Sequence, residues 1–208
     1  MEQFQRPPLN GARASDPSLY WALNGPGHAV HFYDDDEHLQ LTVGNFLADG
    51  LVIGQPVVSI ATQRHTALFA AGLRERGFDV DQLQASRDLT LIDAHYLLDE
   101  FTADQIPEAD RFRVVVGEIL ERAGARRRVV RAYGDMVDVL WKDDNTAGAL
   151  HLEKSWNALA SAFHFALLCG YSIGNVMSGQ QLAAFEDVCG AHHHVIPTDR
   201  RGAQRAGR

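Results

Sequence analysis

The chain has 208 residues, of which 46% are hydrophobic and 22% charged. That is enough for one domain with a full core, domains running about 100–200 residues, and too apolar for wholesale disorder. A net charge of −8 and a pI near 5.6 argue against a general nucleic-acid binder, which needs a basic face.

Residues 1–27 contain Pro7, Pro8, Pro17 and Pro26 without sustained periodicity and are expected to form a loosely ordered lead-in. The domain is expected to run from 28 to 197. His28–Tyr33 reads as a strand, followed by Leu39, Val43, Phe46 and Leu47 at the three- and four-residue steps of a helix. Pro56–Ala61 is short and β-branched, as a buried parallel strand would be. A helix through Leu68, Phe69 and Leu73 then leads to a strand at Leu89–Ile92. Phe112, Val116 and Leu120 mark another helix, and Arg128–Tyr133 the next strand. A short helix at Met136–Trp141, a longer one through Leu152, Trp156 and Leu159, a strand at Phe165–Tyr171 and a helix through Leu182 and Phe185 complete the pattern. Residues 198–208 carry four arginines against one acid and are expected to be a solvated basic tail.

Five alternations of strand and helix predict an α/β three-layer sandwich around a mostly parallel sheet. Ligands of such sheets sit beyond the carboxyl ends of the strands, so the residues after Tyr33, Ala61, Ile92, Tyr133 and Tyr171 outline the expected site. No apolar run approaches the ~18 residues of a membrane helix, and Met1–Asn10 lacks a secretory pattern, so a cytoplasmic location is expected. Cys169 and Cys189 are too few for a disulfide scaffold and are expected to be reduced.

Several chemistries lack their motifs. Where a phosphate loop would follow the first strand, the chain reads Tyr33-Asp34-Asp35-Asp36-Glu37-His38, whose carboxylates repel a triphosphate and whose backbone has no glycine for close approach. An ATPase is disfavoured. The same acidic run could ligate a cation, but it matches no calcium loop, and capping of the next helix is the plainer reading. Cys189 with His192, His193 and His194 looks like a metal clip without its second pair, so no metal and no cofactor are assigned. No nucleophile elbow is present.

Four motifs in order carry a resemblance: His31-Phe32-Tyr33; Arg131-x-Tyr133-Gly134-Asp135-Met136-Val137-x-x-Leu140-Trp141; Leu152-Glu153-x-x-Trp156-Asn157-x-Leu159; and Leu167-Leu168-Cys169-x-Tyr171. Together they resemble the MEDS domain, a sensory domain of methanogen and methylotroph regulators proposed to sense hydrocarbon derivatives. The family pattern has Glu where this chain has Asp135. Stretches around Phe46–Val58, Gly77–Asp79 and Leu91–Ala94 are also similar to RecA/KaiC-type ATPases, without the phosphate loop. The resemblance implies a degenerate RecA/KaiC-like fold that has given up nucleotide chemistry for ligand sensing.

On that resemblance, the ligand-binding candidates are His31, Tyr33, Arg131, Tyr133, Asp135, Glu153, Trp156, Asn157 and Tyr171. Plainer readings stand beside them: a hydrogen-bonded core role for His31 and Tyr33, an Arg131–Asp135 ion pair, an Arg131–Glu153 pair, and a core position for Trp156. The three tyrosines are expected to converge at one end of the sheet around one apolar cavity. The implied function is non-catalytic: binding of a small organic ligand and relay to a separate histidine kinase or transcription regulator, without nucleic-acid or membrane contact. A ligand-free interaction protein and a residual nucleotide binder remain the alternatives.

Overall fold

A computed structural model of the chain describes residues 27–124, 129–173 and 178–196. The lead-in as far as residue 26, the start of the Arg128 strand and the basic tail lie outside the described residues.

The elements follow the predicted alternation and add to it. In order they are β1 (Gly27–Tyr33), α1 (Asp36–Val52), β2 (Val57–Ala61), α2 (Gln63–Glu75), α3 (Val80–Ala85), β3 (Leu89–Asp93), α4 (Ala94–Asp99), a hairpin of β4 (Thr102–Ala103) and β5 (Ile106–Pro107), and α5 (Ala109–Gly124). Then come β6 (Val130–Gly134), α6 (Met136–Lys142), α7 (Thr146–Ala160), β7 (Phe165–Ser172), α8 (Gly179–Gly190) and β8 (His194–Ile196). The acidic run after β1 is a helix start: Asp35 Oδ1 accepts the His38 N–H at 2.8 Å. Thr62, Asp79, Asp93 and Asn145 cap their helices in the same way, and Ser178 with Gln181 forms a capping box on α8.

The sheet has six strands in the order β3-β2-β6-β7-β1-β8, and every pairing in it is parallel. Crossover helices cover both faces, which is why the inner strands are buried along almost their whole length. Alternation sorts the side chains. Ala29, Tyr33, Tyr133 and Leu168 join a core beneath α1–α3, whereas Val30, Phe32, Cys169 and Tyr171 join a larger one beneath α4–α8. No helix among the described residues is long and apolar enough to cross a membrane.

β8 corrects one expectation. The histidine-rich stretch after the last helix reads as a polar exit, yet His194-Val195-Ile196 pairs with Ala29-Val30-His31 of β1. The backbone N–H of His193 also donates to His28 O at 2.8 Å. Period-two patterning in three residues, two of them only half-buried or exposed, gives too little signal to call a strand.

Candidate functional site

Two polar assemblies lie on opposite faces of the sheet, and eight of the nine candidates divide between them, Arg131 standing apart. The first closes the carboxyl ends of the strands on the α1–α3 side. Asp135, fully buried at the start of α6, accepts from the Thr62 N–H at 3.0 Å and from Tyr133 Oη at 3.0 Å, and lies 2.6 Å from His65 Nδ1. Burial pushes its carboxyl up, but the hydrogen bond and charge of His65 outweigh burial and hold it below the usual carboxylate range. One turn on, Asp138 accepts from Tyr33 Oη at 2.5 Å and from both the backbone N–H and Oγ of Ser172 at 2.7 Å. Lys142 Nζ reaches Asp138 at 2.7 Å and donates to Tyr33 Oη at 3.2 Å.

These bonds fill the crevice over β1, β6 and β7, while an opening of about 290 Å³ remains beside the carboxyl end of β3. α6 presents two carboxylates to β1, β6 and β7, and the tyrosine hydroxyls are used internally; burial and the adjacent carboxylates push the phenols of Tyr33 and Tyr133 upward. His31 lies on the same face. Its Nδ1 is 3.4 Å from Ile196 O, its Nε2 has no hydrogen-bond partner among the described residues, and burial pulls the ring down to about 4.

Arg131 takes neither expected partner. Its Nε donates to Gln55 Oε1 at 2.6 Å, Nη1 donates to Phe46 O at 2.9 Å, and the guanidinium lies over the Phe46 ring. The sheet separates it from Glu153, and Asp135 turns instead toward His65. Tyr171 lies on the other face from Tyr33 and Tyr133, so the three rings share an end of the sheet but not a cavity.

The second assembly belongs to the α7–α8 side and has a cleft. An opening of about 580 Å³ lies between β1, α7 and α8, at the amino ends of β1 and β7. Trp156, Phe165 and Leu167 supply its apolar wall, and His28, Asn157 and His192 its polar groups. Trp156 is core as well, packed edge-on against Phe112 with ring centroids 4.9 Å apart. Beneath the cleft, Glu153 is fully buried; Tyr171 Oη donates to its Oε1 at 2.8 Å, and His28 Nε2 is 3.2 Å from its Oε2. Burial and the Glu153 carboxylate push the Cys169 thiol up, so without a cation Sγ keeps its hydrogen.

The candidates read from the sequence leave out His28, His65 and Asp138, and also Cys169 and His192, which are noted there without being assigned to a site. One signal was available: His28 has the parity of Val30 and Phe32, so a histidine in that register points into the α4–α8 core.

A three-layer α/β domain with a parallel six-stranded sheet, its phosphate position replaced by an acidic helix cap, is the class that fold and site define. The chain belongs to the MEDS family, described as MEthanogen/methylotroph, DcmR Sensory domain, whose profile matches residues 27–192. Among solved structures it is similar to the flagellar accessory protein FlaH from Methanocaldococcus jannaschii, whose fold is RecA-like. The TM-score is 0.54 at 10% identity, covering 89% of this chain and 77% of FlaH, a likeness of fold. No curated protein matches the chain in sequence.

Proposed function

We propose that this sensory domain binds a small, mostly apolar organic molecule bearing one polar group, in the cleft between β1, α7 and α8, without turning it over. The observation that carries the reading is the cleft. Its volume of about 580 Å³ suits a small molecule, such sites running about 300–1,000 Å³, and it combines an apolar wall with a few convergent polar groups. Of the nine candidates, Trp156 and Asn157 line it and Glu153 and Tyr171 support its floor, while His31, Tyr33, Tyr133 and Asp135 serve the packed carboxyl end and Arg131 bonds Gln55 and Phe46 near the amino end of β6. The bound state is relayed to a separate kinase or transcription regulator.

A thermal-shift screen of short alcohols, aldehydes, acids and halogenated hydrocarbons against nucleotides tests this. A ligand at 100 times its dissociation constant stabilises the folded chain by about 2.7 kcal/mol. An organic compound is expected to raise the melting temperature, and Ala160→Leu, which fills the exposed cleft wall, should remove the shift. Stabilisation by magnesium and ATP alone, with turnover above a no-protein control, would reverse the reading.

A further inference from the structure

Four side chains from well-separated stretches converge beneath the cleft: His28 from β1, Glu153 from α7, Cys169 from β7 and His192 from the turn after α8. One donor atom from each lies within 4.8 Å of all the others. His28 Nε2 is 3.2 Å from Cys169 Sγ and 3.2 Å from Glu153 Oε2. Cys169 Sγ is 3.8 Å from Glu153 Oε2, and His192 Nε2 is 3.4 Å from Glu153 Oε1. A tetrahedral zinc ion with bonds of about 2.0–2.3 Å holds its donor atoms roughly 3.3–3.6 Å apart. The three separations among His28 Nε2, Cys169 Sγ and Glu153 Oε2 bracket that range, and His192 Nε2 reaches the same carboxylate through its other oxygen.

The hydrogen bonds behind the rings fix which nitrogen faces inward. Asn157 Nδ2 donates to Ala191 O at 2.9 Å, which turns Asn157 Oδ1 toward His28. That oxygen only accepts, so His28 Nδ1, 3.0 Å away, carries the hydrogen. His192 Nδ1 is 2.6 Å from Val188 O, again an acceptor. Both rings therefore face the Glu153 carboxylate through Nε2, His28 at 3.2 Å and His192 at 3.4 Å. His192 Nε2, on a fully buried side chain, makes no hydrogen bond among the described residues although Glu153 Oε1 lies 3.4 Å away. Imidazoles held by a second bond on Nδ1, with a carboxylate steadied by a tyrosine hydroxyl, are what the outer shell of a metal site consists of.

We infer that His28 Nε2, Cys169 Sγ, His192 Nε2 and a Glu153 carboxylate oxygen form a binding site for a borderline-soft divalent cation of the zinc class. Sulfur and imidazole donors disfavour magnesium and calcium, which take oxygen ligands. On binding, the cation displaces the thiol hydrogen to solvent, and thiolate and carboxylate together balance its two charges in a place shielded from water. The sequence alone hid the set because its members come from four elements with no paired spacing; Cys169, not the nearer Cys189, is the sulfur. The site does not depend on the cleft binding an organic ligand.

Zinc itself is the probe. Chelator-treated chain, shown by circular dichroism to be folded, is expected to retain one zinc per chain after gel filtration. Its cobalt(II) adduct should show the strong visible bands of a tetrahedral site and a thiolate-to-cobalt charge-transfer band. Cys169→Ser should lose that band, His192→Gln should lose stoichiometric retention, and Asn157→Ala should weaken zinc about 10- to 100-fold by freeing the His28 ring. Folded wild-type chain that elutes without metal overturns the inference. So does a weak octahedral cobalt spectrum without a sulfur band, which needs no variant to fold, or undiminished zinc in Cys169→Ser and His192→Gln.

Discussion

His31 occupies a place where a charge is costly, because the ring is buried and the backbone contacts from Ile196 and His38 do not offset that burial. Burial lowers its folded pKa from 6.5 to about 4, so the unfolded chain takes up a proton that the folded chain refuses between those values. The associated stability is fully present above pH 6.5 and is lost as pH falls toward 4, amounting to roughly 3 kcal/mol at about 1.4 kcal/mol per pH unit. His31→Phe should flatten that part of the curve, measured as urea midpoints from pH 7 to pH 4; an unchanged slope would refute the assignment. Asp135 acts in a different window. Its depressed pKa makes it lose stabilising charge only below the ordinary carboxylate range, so the two groups are separable by titration. Residue identities were legible in the sequence here, but partners were not. Arg131 and Glu153 lie on opposite faces of the sheet, a matter of strand parity, whereas Arg131 and Asp135 are kept apart because they stand at opposite ends of β6.

At the scale of elements, a glycine lets two strands carry their aromatic load. Gly170 in β7 lies where an added Cβ would come within 2.6 Å of Tyr133 Oη, and that hydroxyl is held by Asp135. Gly170→Ala should therefore cost about 1–3 kcal/mol by overpacking. Combining it with Tyr133→Phe should cost less than the sum of the two single changes, since the obstructing atom is gone; strict additivity in a double-mutant cycle would count against the contact. The long elements were legible from periodicity and caps. α3, α4 and the β4–β5 hairpin were not, being two to six residues long and set by tertiary packing rather than by pattern.

For the whole molecule, alternation of strands and helices was enough to predict three layers, but not the strand order, which depends on crossovers that leave no local trace. The expected site followed the general rule for open α/β sheets. Here α6 folds its carboxylates over the ends of β1, β6 and β7; an opening of about 290 Å³ remains at the carboxyl end of β3, lined by Gln63, Thr66 and Asp93 among others, and the opening of about 580 Å³ lies at the opposite end of the strands. With a net charge of −8, the molecule as a whole repels phosphate backbones. Filter binding with duplex DNA at low salt should retain nothing above a no-protein control, and salt-sensitive retention would show the basic tail to be a nucleic-acid arm.

The cleft floor is stitched together by the two extremes of the domain. His28 opens the first strand, His193 follows the last helix, and they exchange hydrogen bonds across 165 positions of chain. A contact of that span closes only after most of the intervening elements have collapsed into place. On the ribosome, β1 therefore emerges long before its β8 partner, and the Cys169 thiol stays without its His192 lid until α8 and the turn after it have emerged. The pocket is the last part of this domain to be built, and a clip near Gly190 is the shortest route to dismantling it.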